Sequence, residues 1–403
     1  MTNTNVRLVG VTDQTLTLAL QGRLDAAASL EIEEQINDLC AAHAHQHLVL
    51  DLQGLTYISS MGLRLVLTLH KRCSMELVDV CPDVWNVFDM TGFTQIVKMR
   101  KAFREISLDG CTKLGEGANG TVYRIDEDTI VKLYRSDTPL AVIDQERDYA
   151  QAAFVAGIPT AISYDVVRSG DSYGIVFEML NAATFDRKLA QPDEHFDSHI
   201  QRYVQLFQSL HATDASYTAL PRMKEKYHRW IDALSDRYGD DERQAMHSLV
   251  DAVPERDTMI HGDFHPRNIM TQGDELLLID MADISVGHPI FDLAGVGLTH
   301  MHYPTITPQT CCFYIGIEAD ILKRMWRMLL TQYFGTDDEA QLHQWERLVL
   351  AFTHLRYAVN PAVVSGLPAD LVDSQIAFGK QFVCEEAQWA KDTIQHTEWK
   401  TSF

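Results

Sequence analysis

The stretch His261-Gly262-Asp263-Phe264-His265-Pro266-Arg267-Asn268 is the most informative part of this sequence. Twelve residues after Asn268, Asp280 ends the apolar run Leu276-Leu277-Leu278-Ile279. An acid, an amide five residues later and a second acid after a short hairpin are the groups needed to engage a hydroxyl proton while magnesium is held on a nucleoside triphosphate. The pattern therefore predicts phosphoryl transfer. Asp263 would accept or orient the acceptor proton, and Asn268 and Asp280 would hold Mg²⁺ on ATP.

A glycine-rich segment, Leu114-Gly115-Glu116-Gly117-Ala118-Asn119-Gly120, precedes this stretch and has the spacing G-x-G-x-x-G. That spacing alone is a weak signal, because dinucleotide-binding folds share it. In those folds the third glycine opens a helix, whereas Thr121-Val122-Tyr123-Arg124-Ile125 is β-branched and aromatic and favours a strand. A glycine hairpin lets backbone amides approach phosphate oxygens, so we expect Gly115, Gly117 and Gly120 to bind nucleotide.

Lys132 and Glu146 complete the expected nucleotide site. Lys132 lies in the strand-like run Ile130-Val131-Lys132-Leu133, and Glu146 lies on a helix predicted from about Leu140 to Ala156. An acid on that helix would fix the ammonium near the α- and β-phosphates. Either residue alone could be an ordinary surface charge, but their order behind the glycine loop favours the functional interpretation.

The end of another predicted strand, Phe177-Glu178-Met179-Leu180, falls where the chain would pass from a strand-rich lobe to a helical one. The backbone of Glu178 and Leu180 could hydrogen-bond an adenine ring there. A buried strand end explains the same residues equally well.

Metal binding by histidines is a competing interpretation of two segments. His261 and His265 are four residues apart, as in helical zinc sites, but Gly262 and Pro266 disfavour a helix and no glutamate follows His261. We expect His261 to brace the catalytic loop through hydrogen bonds instead. Three further histidines could share a strand face, although a solvated connection is the favoured interpretation of His43, His45 and His47.

Composition limits the class of protein. The 403 residues exceed one ordinary core and predict two or three folding units. A formal charge of -22 argues against nucleic acid as a partner, and no apolar run is long enough to span a bilayer. Met1-Thr2-Asn3-Thr4-Asn5 lacks the features of a secretion signal. Seven cysteines, including adjacent Cys311 and Cys312, suggest reduced thiols, so we expect a soluble, cytoplasmic protein.

The organisation along the chain suggests several units. Residues 1–100 alternate strand-like and helix-like pieces. The run His47-Leu48-Val49-Leu50-Asp51-Leu52 favours a strand buried on both faces, although its periodicity also fits a buried helical piece. The basic stretch Lys98-Met99-Arg100-Lys101, with Arg104, is the candidate join. We therefore predict an α/β domain at 1–100, a linker at 101–105, a strand-rich lobe at 106–180 and a helical lobe at 181–403.

From Ile106 to about residue 300 the sequence resembles the protein-kinase-like fold of the aminoglycoside phosphotransferase and choline kinase group. The matching pieces are the His261 to Asn268 stretch, Ile279-Asp280 and Gly287-His288-Pro289-Ile290-Phe291-Asp292-Leu293-Ala294. The resemblance implies a bilobal fold, ATP as donor, Asp263 as catalytic base, and Asn268 and Asp280 as metal ligands. It also implies that helices of the C-terminal lobe shape the pocket for a small-molecule acceptor.

Three features depart from the pattern of that group. Arg267 stands where the group often has glycine, and the glycine loop is closer to that of protein kinases. Against a regulated protein kinase, Met281-Ala282 rather than Phe-Gly follows Asp280, and no Ala-Pro-Glu closes an activation segment. The balance favours a small-molecule acceptor.

Residues 5 to about 100 resemble a STAS domain of the anti-sigma-factor antagonist type. The supporting pieces are Gly22-Arg23-Leu24-Asp25, the segment from Leu50 to Leu63, and Val87-Phe88 with Thr91-Gly92-Phe93. In that family a partner kinase phosphorylates a serine at the start of this helix, and the helix N-terminus tolerates the added charge. Met61 stands directly before the glycine here, which leaves Ser59 and Ser60 as candidates for phosphorylation or for helix capping.

The leading hypothesis is an ATP-dependent phosphotransferase that acts on a hydroxyl of a small molecule and is tethered or regulated through a STAS domain, which could bind a protein partner. A second hypothesis is a signalling kinase that phosphorylates a serine of its own or of a partner's STAS domain. A third is a nucleotide-gated, non-catalytic scaffold. A decayed kinase typically lacks at least one functional group, so retention of all five argues against the scaffold: Lys132, Glu146, Asp263, Asn268 and Asp280.

Overall fold

A computed structural model of the chain describes residues 4–12, 14–117, 120–180, 182–308, 315–364 and 366–399. The tip of the glycine loop, Ala118-Asn119, and the adjacent cysteines Cys311-Cys312 lie outside these residues. The chain divides into two compact units, Met1–Ser107 with Val166–Asp171, and Leu108–Asp165 with Ser172–Phe403.

The described residues of the first unit form a five-stranded sheet flanked by three α-helices. Its strand order follows the chain; the first two strands are antiparallel and the remaining neighbours are parallel. The elements are β1 (Asn5–Val11), β2 (Thr15–Leu24), α1 (Ala26–Ala42), β3 (His47–Ile58), α2 (Ser60–Arg72), β4 (Ser74–Val80), α3 (Pro82–Met90) and β5 (Lys98–Lys101). The predicted α/β character of this region is confirmed.

Strand β3 is less buried than predicted. Leu48, Leu50 and Leu52 are at most 1% exposed, but the alternate residues Val49 and Asp51 are only partly covered. Side chains alternate across a strand, so the leucines fill the core of this unit while their neighbours face the less covered side of the sheet. The apolar run indicated the strand correctly but overstated its burial.

The basic stretch proposed as the join is instead the edge strand β5. The Lys98 ammonium lies 2.7 Å from a Glu76 carboxylate oxygen on β4, and Arg100 lies 3.4 Å from Asp79. The basic residues therefore complement acidic ones on the neighbouring strand. Within the predicted linker, Arg104–Glu105 form a short strand, β6, that pairs in parallel with residues 167–168.

The second unit begins with an antiparallel sheet and one long helix. Four of its strands lie in the order β11, β9, β8, β7. The elements are β7 (Thr112–Glu116), β8 (Gly120–Arg124), β9 (Thr129–Tyr134), α4 (Leu140–Val155) and β11 (Ser172–Glu178). Strand β10 (Ser163–Ser169) begins in this unit, and its residues from Val166 onward belong to the first unit. Helix α4 buries Ile143, Ala150, Ala153 and the acidic Glu146.

The remainder of this unit is mainly helical, as predicted. The α-helices of the described residues here are α5 (Asp186–Leu189), α6 (Phe196–Ala212), α7 (Met223–Asp232), α8 (Asp240–Ala252), α9 (Ile290–Gly297), α10 (Tyr303–Ile306), α11 (Ala319–Phe334), α12 (Glu339–Ala358), α13 (Asn360–Val363), α14 (Ala369–Glu385) and α15 (Ala387–His396). Short strands interrupt them: β12 (Ala183–Thr184), β13 (Met259–Ile260), β14 (Ile269–Gln272), β15 (Glu275–Leu278) and β16 (Ser285–Val286). Within the described ranges, no helix is both long and apolar enough to cross a membrane.

Candidate active site

Lys132 connects three separate elements of the second unit. Its Nζ lies 2.7 Å from Oε1 of Glu146 on α4 and 2.9 Å from Oδ1 of Asp280, which follows β15. Glu146 is 5% exposed, so this carboxylate is buried against the sheet and its ion pair is shielded from solvent. The three residues expected to share one nucleotide site therefore do meet.

Two opposing effects set the charge of Lys132. Burial alone would lower the pKa of its ammonium, but the carboxylates of Asp280 and Glu146 outweigh burial and raise that pKa above its ordinary value. The side chain therefore remains a cation held between two acids. A fixed cation at this point suits contact with phosphate oxygens.

The glycine segment is a hairpin between β7 and β8, and the Gly117 N–H donates to the Gly120 carbonyl at 2.9 Å. Strand follows strand here, which excludes the strand-to-helix geometry of a dinucleotide fold. A Cβ at Gly120 would lie 2.1 Å from the carbonyl oxygen of Leu133, so the close approach of β8 and β9 requires this glycine. A Cβ at Gly115 or Gly117 would meet no atom of the described residues within 4 Å, so these residues leave space for a ligand at both positions.

The strand end at Glu178 is tied into the protein. The Glu178 N–H donates to the Ile162 carbonyl at 2.9 Å, and the Met179 N–H donates to the Asp128 carbonyl at 2.7 Å. Leu180 follows with 8% of its surface exposed. The amides of Glu178 and Met179 already donate to protein carbonyls. An adenine ring bound here would therefore depend on the Leu180 amide and on backbone carbonyls.

Asp263 is oriented by two neighbours in its own loop. The Asn268 side-chain amide donates to the Asp263 carbonyl at 3.0 Å and to its Oδ2 at 3.1 Å. The His265 Nε2 lies 3.4 Å from the same carboxylate oxygen. The Asp263 side chain is nevertheless 52% exposed, so the carboxylate is held from one side and reachable from the other.

The charge of Asp263 is also controlled by its surroundings. Its partial burial would raise the pKa of the carboxyl, but His265, His261 and Arg356 together hold that pKa well below its ordinary value. The group is therefore anionic at neutral pH and can accept a hydrogen bond from a hydroxyl.

A buried carboxylate, Asp292, holds the backbone of the Asp263 loop by hydrogen bonds. Its Oδ2 and Oδ1 accept hydrogen bonds from the backbone N–H groups of His261 and Gly262, each at 2.7 Å. The His211 Nε2 lies 3.1 Å from Oδ2, and Asp292 is only 1% exposed. Asp292 lies in the motif Gly287 to Ala294, which predicts no role for it from sequence. A single acid among the apolar residues of Ile290-Phe291-Asp292-Leu293-Ala294 was the available signal.

Backbone conformation at Gly262 and Asp280 fixes the two loops. Gly262 has a φ of +83°, and a Cβ there would lie 2.6 Å from the carbonyl oxygen of Asp283. Asp280 has a φ of +62°, which is unusual for a residue with a side chain. The His261 Nε2 lies 3.2 Å from the Ile279 carbonyl oxygen, so the histidine spans the two loops.

Asn268 and Asp280 flank the base of the β14–β15 hairpin. Ile269 pairs with Leu278, and the Ile279 N–H donates to the Asn268 carbonyl at 2.9 Å. Amide and carboxylate oxygens suit Mg²⁺, which usually takes one or two protein ligands and completes its shell with phosphates and water. Among the described residues, no group of three or more His, Cys, Asp or Glu side chains could hold a metal by itself.

The remaining candidates are Arg267, two serines and the histidines of the first unit. Arg267 is half exposed, and its Nε lies 3.9 Å from Oδ2 of Asp186. In the first unit, the Ser59 hydroxyl accepts the Gly62 N–H at 3.3 Å and caps α2, whereas Ser60 is exposed as the first residue of that helix. His43 ends α1 and His47 begins β3, where its Nδ1 lies 2.8 Å from the Ser74 hydroxyl.

Comparison with known families assigns both regions. Residues 7–106 match the family model described as the STAS domain, and residues 110–309 match the model described as the phosphotransferase enzyme family. The chain thus joins a STAS domain to a phosphotransferase-family domain with a kinase-like fold. The second match supports an ATP-dependent phosphotransferase.

Three solved structures illustrate these likenesses. An ADP-bound aminoglycoside phosphotransferase is 13% identical, with 74% of this chain and 97% of that chain covered at a TM-score of 0.45. A choline/ethanolamine kinase family protein from Mesorhizobium loti is 15% identical, with 71% and 92% covered at 0.47. The anti-sigma factor antagonist SpoIIAA, unphosphorylated, is 25% identical, with 24% and 88% covered at 0.22. The family matches, rather than these distant structures, support the two domain assignments.

Proposed function

We propose that this protein transfers the γ-phosphoryl group of Mg-ATP to a hydroxyl of a small molecule. The observation that carries the proposal is the pairing of Lys132 with both Glu146 and Asp280, at 2.7 and 2.9 Å. A surface lysine would gain little from such an arrangement, whereas phosphate binding needs a cation fixed beside the metal-holding acid.

In this proposal each residue of the site has a defined role. Gly115, Gly117 and Gly120 shape the hairpin over the phosphates, Lys132 contacts them, and the strand end at Glu178 and Leu180 holds adenine. Asn268 and Asp280 would hold Mg²⁺, which neutralises charge developing on the transferred group. Asp263 orients the acceptor hydroxyl and takes its proton late in the reaction. A cytoplasmic location, where ATP is available, is part of the same proposal.

The test is release of ADP by the purified full chain with Mg-ATP and a panel of hydroxyl-bearing metabolites. One class of acceptor should stimulate turnover, and Asp263→Ala should abolish that stimulation. Asp274→Ala is the matched control, because this acid lies in the turn between β14 and β15 and is fully exposed. Tight ATP binding without stimulation by any acceptor would favour the nucleotide-gated scaffold instead.

A second candidate function is phosphorylation of the STAS domain itself or of a partner's STAS domain. It is favoured by the exposure of Ser60 at the start of α2, where a helix N-terminus stabilises added negative charge. The Ser59 hydroxyl is already used as a cap. Intact-mass measurement after incubation with Mg-ATP should then show a phosphorylated species that Ser60→Ala removes and Ser59→Ala retains. A single unmodified mass for this chain and for a captured partner would exclude it. Tethering or regulation of the kinase-like domain by the STAS domain belongs to either version of the proposal.

A further inference from the structure

Lys226 on α7 is a buried cation with no role in the chemistry described above. Its ammonium lies 2.9 Å from Oδ1 of Asp283, 3.1 Å from the Asp283 carbonyl and 3.4 Å from the Ser285 hydroxyl. The residue is 8% exposed, and its ammonium lies 5.6 Å from the centre of the Trp230 ring. Burial of an ammonium is unfavourable unless close partners offset it, and these oxygens supply such partners.

Asp283 sits where the two functional loops touch. It ends the short turn Met281–Asp283 that directly follows Asp280. Its carbonyl oxygen packs against Gly262, where a Cβ would approach to 2.6 Å, and Gly262 directly precedes Asp263. The position of Asp283 therefore constrains both the metal-holding acid and the proton-accepting acid.

We propose that Lys226 is a positioning residue that locks Asp283, and through it fixes the loop of Asp280 and the loop of Asp263 for binding of the magnesium nucleotide. This inference rests on the proposed function. Lys226 bonds two oxygens of one residue, the side-chain and main-chain oxygens of Asp283, so it restrains the turn itself as well as a side chain. Such a restraint matters most for the left-handed backbone at Asp280, which needs support from its surroundings.

This restraint of Asp283 by Lys226, called the lock below, predicts a selective loss of metal-dependent nucleotide binding. Lys132 and the strand end at Leu180 can bind nucleotide without metal, whereas Asp280 contributes affinity only when Mg²⁺ is present. Loss of a residue that orients a metal ligand typically weakens metal binding by about 10- to 100-fold. Lys226→Met should therefore reduce the enhancement of ADP affinity by Mg²⁺ by about this factor, with metal-free ADP binding unchanged.

Calorimetric titration of the full chain with ADP, in Mg²⁺ and in EDTA, tests the inference. Lys226→Arg should restore much of the Mg²⁺ enhancement, because its guanidinium can still donate to two oxygens. Lys224→Met is the control on the same helix, since that ammonium lies 2.8 Å from Glu255 and 3.3 Å from the Asp251 carbonyl, away from both loops. If Lys226→Met does not fold, Asp283→Asn removes the same ion pair from a half-exposed carboxylate and should give the same selective defect.

The outcomes separate the lock from the function on which it rests. A wild-type chain that binds no ADP would overturn the proposed function and the lock with it. A Mg²⁺ enhancement that survives both Lys226→Met and Asp283→Asn would overturn the lock alone. An equal loss of metal-free and metal-dependent binding would also overturn it, because that pattern reports general structural damage.

Discussion

Asp292→Asn should destabilise the second unit strongly although the two side chains have nearly the same size. The carboxylate accepts the backbone N–H groups of His261 and Gly262, both at 2.7 Å, and lies 3.1 Å from the His211 Nε2. An asparagine offers one oxygen and one NH₂ group. The NH₂ group would face a backbone N–H, so at least one buried donor would lose its partner.

The magnitude follows from those contacts. Hydrogen bonds to a charged group each contribute about 1.5–3 kcal/mol, and a buried donor left without a partner costs about 1–3 kcal/mol. Losing one such bond and leaving one such donor, at a site that is 1% exposed, predicts a loss of about 2.5–6 kcal/mol. With a urea dependence of about 3 kcal/mol per M, the unfolding midpoint should fall by about 1–2 M.

Tryptophan fluorescence in urea is a suitable assay, because five of the six tryptophans lie beyond residue 108 and report mainly on the second unit. Asp274→Asn is the control, and its fully exposed carboxylate predicts a change within about 0.5 kcal/mol. Acceptor-stimulated turnover should fall with Asp292→Asn, because the hydrogen bonds from His261 and Gly262 to the Asp292 carboxylate set the position of Asp263. An unchanged midpoint together with unchanged turnover would refute the claim that this acid holds the loop.

Three further perturbations have defined outcomes. Gly120→Ala would place a Cβ 2.1 Å from the Leu133 carbonyl oxygen, so thermal unfolding should show a loss of at least about 1–3 kcal/mol; an unchanged melting temperature would contradict the packing argument. Ser59→Ala removes the cap of α2 and should cost about 1 kcal/mol in denaturant titration, whereas equal stability would mean that the cap is unimportant. Burial lowers the pKa of His300 to about 3 and that of His302 to about 4, from 6.5. The unfolded chain therefore takes up protons first, and stability should fall as the pH drops below about 6.5. Urea midpoints at pH 7 and pH 5 check this. A decrease of the midpoint between these two pH values that is equal in wild type and His302→Gln would contradict it.

The order of the motifs was enough to predict the kinase-like architecture. The glycine loop is followed, in kinase-like order, by a lysine, a glutamate on a helix and two later acids. The β-branched residues after Gly120 predicted the hairpin that the structure shows. Lys132, Glu146 and Asp280 are brought together as expected. Their proposed roles in binding and catalysis stay predictions.

Other features depend on distances that sequence patterns do not contain. Gly120 is predicted to serve phosphate binding, and the close approach of β9 gives a second reason, invisible in the sequence, for the lack of a side chain at this position. Lys98 and Arg100 suggested a join because they are basic, whereas acids on the neighbouring strand explain them. Lys226 lies 57 residues from Asp283, and no local pattern relates the two.

The most direct test of the central claim is calorimetric titration of the purified chain with a non-hydrolysable ATP analogue in the presence of Mg²⁺. We expect one binding site per chain, with affinity that falls at least about tenfold in Lys132→Met. One tenfold step corresponds to about 1.4 kcal/mol, and a phosphate contact by a charged group exceeds that. Absence of binding by the wild-type chain, or equal affinity of wild type and Lys132→Met, would contradict it.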